Sequence, residues 1–160
     1  MFTRSKHNPV LLPDKNHPWE SRKVYNPGAI YYNDKYHLFY RAVGEDWISR
    51  IGYAVSDDGE KFMRFDQPVL FPEKSFEKNG VEDPRITKPE DIFCMAYTSY
   101  DGTTARLQIA TSGNLKKWTK RGPALTDWNY EKAGGVILKW REGKSQEIIP
   151  PEEVFEPLHP

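Results

Sequence analysis

Apolar and polar residues alternate in short runs broken by turn-forming residues, and no stretch keeps a 3.6-residue period long enough for an amphipathic helix. The segment 29–42, AIYYNDKYHLFYRA, is two apolar runs around Asn33-Asp34-Lys35, the pattern of a β-hairpin. A third strand follows in RIGYAVSDDGEKF at 50–62, with an Asp-Asp-Gly turn and a closing aromatic. The same order then returns. Arg50 and Arg106, Ser56 and Ser112, and Phe62 and Trp118 lie about 56 residues apart, while Pro27 and Pro84, and Tyr40 and Tyr97, lie about 57 apart. A short connecting element recurs as NPVLLP (8–13), QPVLFP (67–72) and a degenerate GPALTD (122–127). In the second unit Lys88–Asp91 predicts the hairpin turn and ARLQIATS the third strand.

Four short strands in a unit of this length fit one blade of a β-propeller. The fold class expected is therefore all-β, a β-propeller in one domain over 1–160, with units 8–66, 67–121 and 122–149 and a Pro-rich tail at 150–160. Propellers close with about 4–8 blades, so two units and the start of a third make an incomplete one. Such a chain is a fragment, a truncated reading frame, or a half whose open strand edge is covered by a second copy or a complementary chain, and the sequence does not choose among these.

Composition narrows the function classes. Lys plus Arg is 23 and Asp plus Glu is 23, which gives no electrostatic case for nucleic acid or an anionic membrane surface. No apolar run is long enough to span a bilayer, and the N-terminal residues lack the apolar core of a secretory signal. A cytoplasmic location is the expectation. Cys94 stands alone in an apolar run and reads as a core thiol, and the four histidines are too scattered for a zinc site.

In a propeller the polar residues entering each innermost strand converge at one end of the central channel. Here those entries are Asn26-Pro27-Gly28, Glu82-Asp83-Pro84-Arg85 and Lys132-Ala133-Gly134. A Glu-Asp pair beside Arg can act as a proton donor next to an anion-binding group, or can be a turn with an ion pair that only starts a strand. Arg41, Arg50, Arg85, Arg106 and Lys132 hold comparable blade positions. Several cations near one carboxylic acid make a place for an oxyanion such as phosphate, although registered arginines such as Arg50 and Arg106 also suit blade packing. Asp101, in a loop with Tyr100 and Gly102, either faces the same rim or forms a turn.

Taken together, V24-Y-N-P-G-A-I, F39-Y-R-A, S49-R-I-G-Y-A-V-S-D-D-G, G80-V-E-D-P-R-I and A105-R-L-Q-I-A-T-S resemble glycoside hydrolase family 130 over 8–138. The resemblance implies a five-bladed propeller acting on β-mannosides, many members being inverting phosphorylases that yield α-mannose 1-phosphate. It makes Asp83 the catalytic acid, its proton passing through a mannose hydroxyl to the leaving oxygen. Asn26, Arg41, Ser49, Arg50, Glu82, Arg85, Asp101 and Lys132 become the substrate and phosphate contacts. No metal or organic cofactor is implied; inorganic phosphate is the co-substrate and a β-mannoside oligosaccharide the substrate. A phosphorylase needs cations to hold a dianion, whereas a hydrolase needs a carboxylate base to activate water, and Arg50, Arg85 and Lys132 favour the former. The alternatives are a hydrolase, or a catalytically silent carbohydrate-binding or assembly module.

Overall fold

Asn33 and Asp34 both adopt left-handed backbone angles, φ 50° and 57°. That is the requirement of a two-residue type I′ turn, whose twist matches the strands it joins. It closes β1 (Lys23–Tyr32) on β2 (Lys35–Val43), and β2 pairs antiparallel with β3 (Ser49–Ser56), which carries the short β4 (Met63–Arg64). The second unit repeats this as β5 (Gly80–Thr87), β6 (Phe93–Tyr100), β7 (Ala105–Ser112) and β8 (Thr119–Pro123), all antiparallel. A computed structural model describes residues 4–124, 138–141 and 144–148. In its last part β9 (Leu138–Arg141) and β10 (Lys144–Ile148) form a hairpin. Lys132 and the tail 150–160 lie outside the described residues. No helix among those described is long and apolar enough to cross a membrane.

The chain is thus all-β, built as successive four-stranded propeller blades. They join through one parallel bridge, Ser49 to Gly80, at the end where β3 and β5 begin. Strand alternation then dictates which side chains fill the gap between them. Phe39, Ile51 and Tyr53 from the first blade meet Val81, Met95 and Tyr97 from the second, with Leu70 wedged in from the QPVLFP connection. That connection is held by a bridge between Ile51 and Leu70. The other face of the first blade buries Tyr40, Ala42 and Ala54 under Leu11, Trp19 and Phe62.

Each blade also contains a buried polar lock that the sequence reading did not anticipate. Two 3₁₀ turns, Pro18–Glu20 and Ser75–Glu77, bring in fully buried Glu20 and Glu77. Glu20 accepts from Tyr40 Oη (2.8 Å) and pairs with Arg64 (2.9 Å); Glu77 accepts from Tyr97 Oη (3.0 Å) and pairs with Lys120 (2.7 Å). Every member is spaced by about one repeat. Burying a carboxylate is tolerable only when it is paired and hydrogen-bonded, and both conditions hold twice. Gly52 makes room for the first lock, since a Cβ there would lie 2.4 Å from the Tyr40 ring.

Candidate active site

The innermost strands β1 and β5 each break register once, between Tyr25 and Gly28 and between Glu82 and Arg85. The residue ahead of proline at each bulge is left-handed: Asn26 at φ 47° and Asp83 at φ 54°. Asn and Asp tolerate this region better than other side-chain-bearing residues, and a bulge re-aims the side chain it carries. The two bulges meet. Gly28 lies so close to the second blade that a Cβ would sit 2.4 Å from the Pro84 carbonyl oxygen. Across this contact Asn26 Nδ2 donates to Asp83 Oδ1 at 3.0 Å.

Arg41, near the end of β2, completes the cluster. Its guanidinium donates to Glu82 Oε1 (2.6 Å) and Ser49 Oγ (2.9 Å) and stands 3.5 Å from Asp83 Oδ1. Ser49 Oγ donates in turn to Glu82 Oε1 (3.3 Å), and Glu82 is 2 % exposed, so a nearly dry carboxylate anchors the guanidinium. Two carboxylates share one cation here. Asp83 Oδ1 is occupied from two sides, while Oδ2 has no hydrogen-bond partner among the described residues. The Arg41 guanidinium also lies 4.9 Å from the Tyr25 ring centroid. Burial raises the Tyr25 hydroxyl pKa; Arg41 opposes the shift and the charges of Glu82 and Asp83 reinforce it. Tyr25 was not singled out from the sequence, where it stands only within the segment V24-Y-N-P-G-A-I.

Five of the residues singled out from sequence therefore converge: Asn26, Arg41, Ser49, Glu82 and Asp83. Arg85 follows on the same strand, its Nη1 on the Pro84 carbonyl (2.8 Å), with no carboxylate partner among the described residues. Arg50 does not join them. It pairs across the sheet with Ala42 while Arg41 pairs with Ile51, so alternation sends it to the opposite face from Arg41. There Asp46 holds it through two contacts, 2.7 and 3.1 Å. Asp101 is a turn-former in this structure: its Oδ1 accepts from the amides of Thr103 (2.8 Å) and Thr104 (2.7 Å). Those backbone bonds hold its carboxyl below the usual range. Arg106 reaches toward Asp101 (3.9 Å) much as Arg50 does toward Asp46. Lys132 falls outside the described residues.

The repeat separates architecture from chemistry. Glu20/Glu77, Tyr40/Tyr97, Arg64/Lys120 and Arg50/Arg106 recur and do the same job twice. At the cluster the correspondence fails: Arg41 stands opposite Thr98, Ser49 opposite Ala105, Glu82 opposite Tyr25 and Asp83 opposite Asn26. Polar groups present in one unit and replaced in the other are not needed to build a blade.

Residues 4–146 match the family described as β-1,4-mannooligosaccharide phosphorylase, glycoside hydrolase family 130. A 1,2-β-oligomannan phosphorylase of Thermoanaerobacter sp. (strain X514) is 43 % identical over 138 residues, which are 80 % of this chain and 47 % of that protein. A β-1,2-mannobiose phosphorylase of the same organism is 40 % identical over 148 residues, 82 % and 49 % respectively. The chain thus spans about half the length of these curated relatives. Among solved structures, a putative glycosidase from Bacteroides thetaiotaomicron superposes with a TM-score of 0.79 at 33 % identity, covering 89 % of this chain and 49 % of that one. Another, from work on family members that are hydrolases of β-1,2 mannosidic linkages in Candida mannan, gives 0.74 at 38 %, covering 78 % and 41 %. With the repeat, the paired bulges and a family match over most of its length, this chain belongs to glycoside hydrolase family 130.

Proposed function

We propose that the chain carries the acid-bearing part of a β-mannoside phosphorylase, with Asp83 as the proton donor. The observation that supports this best is the contact of the two left-handed bulges, which fixes Asp83 Oδ1 against Asn26 and Arg41 and leaves Oδ2 for substrate. In the reaction a phosphate oxygen attacks the anomeric carbon of the terminal mannosyl unit. The glycosidic bond breaks with inversion, and a proton from Asp83 reaches the leaving oxygen through a mannose hydroxyl. The products are α-mannose 1-phosphate and the shortened acceptor. Ser49 and Glu82 act as positioning residues, holding Arg41 beside the acid. Arg85 and Lys132 supply charge for phosphate, and the names of the relatives favour β-1,2 and β-1,4 mannosides as substrates. Arg50 and Asp101 serve the blades: each is engaged by its own loop.

The test is incubation with β-1,2- and β-1,4-mannobiose in the presence and absence of phosphate. Phosphate-dependent sugar phosphate is expected. It should fall about 10²–10⁴-fold in Asp83→Asn, the range a positioned general acid contributes. Undiminished turnover in that variant refutes the assignment. Mannose released without phosphate supports a hydrolase instead, the reading favoured by the neighbour that comes from work on hydrolases.

A further inference from the structure

The blades leave a second opening at their other end. From Asn26 to Tyr32 is six residues of strand, about 20 Å at ~3.3 Å per residue, so this opening is remote from Asp83. It is a pocket of about 350 Å³ between the blades, lined from one side by Tyr32, Tyr53 and Phe65 and from the other by Phe93 and the turn Gly113–Lys116. That volume lies at the small end of ligand pockets, which run from about 300 to 1,000 Å³. The rings are mutually fixed. Phe93 stands edge-on to Tyr32 (centroids 5.0 Å apart), and Tyr53 packs against Phe65 (4.6 Å). His37 locks the Tyr53 hydroxyl at 2.6 Å. Tyr32 remains 42 % exposed.

The rim is rich in donors. The Asn114 side-chain oxygen already accepts the amides of Lys116 and Lys117, which orients its NH₂ group. Among the described residues the Asn33 side chain, at the tip of the first hairpin, has no partner, and the Lys116 ammonium makes a ring contact alone, 5.3 Å from the Phe65 centroid. The Lys88 ammonium caps Tyr32 (5.5 Å) and Phe93 (5.6 Å). Tyr53 and Phe93 are buried and close the bottom of the pocket, so the ring surface left open is that of Tyr32, with half-buried Phe65 beside it. That surface, with neutral amides and an ammonium at its edge, suits the C–H face of a pyranose, whose hydroxyls accept from the rim.

We propose that this opening is a secondary binding site for one hexose unit of a neutral oligosaccharide, distinct from the acid cluster. The choice of a mannoside as the probe rests on the function proposed above; the location does not. The ¹⁵N-labelled chain is titrated with β-1,2-mannotriose while amide signals are followed. Saturable shifts are expected at Asn33 and Gly113–Lys116, weakened at least tenfold in Tyr32→Ala and in Lys116→Ala, and retained in Asp83→Asn. Lys116 is exposed, so its variant remains usable if Tyr32→Ala does not fold. Shifts at Ser49 and Glu82 report the acid cluster separately, so failure of either site is seen on its own. The site is refuted if the turn amides stay still, if both variants respond like the parent, or if inorganic phosphate alone reproduces the shifts.

Discussion

Asn26 and Asp83 occupy one structural position in successive blades, and both hold a backbone conformation that costs a side-chain-bearing residue about 1–2 kcal/mol. Strain of this kind persists where the surroundings enforce it and gathers at working sites. Replacing Asn26 by Gly relieves the strain while deleting the amide that holds Asp83 Oδ1. Asn26→Gly is therefore expected to match the parent's stability within about 1 kcal/mol yet lose about tenfold or more in phosphate-dependent turnover, as read by denaturant titration beside the activity assay. A purely structural Asn26 would show the reverse. The composition of Glu82-Asp83-Pro84-Arg85 left a proton donor and a plain ion-paired turn both open, only the family resemblance chose between them, and the bulge was not foreseen. That Asn26 would touch Asp83 could not be read either, because the contact depends on how closely Gly28 lets two innermost strands approach. The opposite fates of Arg41 and Arg50 were likewise hidden. Both are arginines at the same end of adjacent strands, and only the pairing of Arg41 with Ile51 puts them on different faces.

The turns and locks show how far repetition can be used as an internal control. After β3, Asp58 Oδ1 accepts from the amides of Glu60 (2.9 Å) and Lys61 (2.8 Å); after β7, Asn114 Oδ1 accepts from Lys116 (3.0 Å) and Lys117 (2.9 Å). The same turn is built once with a carboxylate and once with an amide. The backbone bonds depress the Asp58 pKa to about 2 from 3.8. A carboxyl depressed in the folded state contributes stability above its unfolded value and loses it as pH falls through the folded one. Asp58→Asn should thus fold normally near neutrality and flatten the acid-induced loss of stability between about pH 4 and pH 2, measured by thermal melts across that range. The buried locks give a second paired comparison. Tyr40→Phe and Tyr97→Phe each remove one hydrogen bond from a fully buried carboxylate, and each should cost about 1–3 kcal/mol in denaturant titration. The strands, hairpin turn and period were legible because they follow from alternation and turn chemistry. The locks were not, since Glu20 and Glu77 lie in loops where a charged residue is ordinarily solvated.

At the scale of the molecule, the two blades are joined by one parallel bridge, a shared apolar layer and the contact of Gly28 with Pro84. Gly28→Ala forces that contact open and should cost about 1–3 kcal/mol, the usual penalty of overpacking, seen as a lower melting temperature. The amide of one sheet steadies the carboxylate of the next, so neither sheet owns that carboxylate. On the role proposed for Asp83, turnover becomes a gauge of alignment between neighbours. On warming, slippage at the seam should silence turnover at a lower temperature than the one at which circular dichroism records loss of the strands. Coincidence of the two temperatures would mean that the sheets part only when they melt.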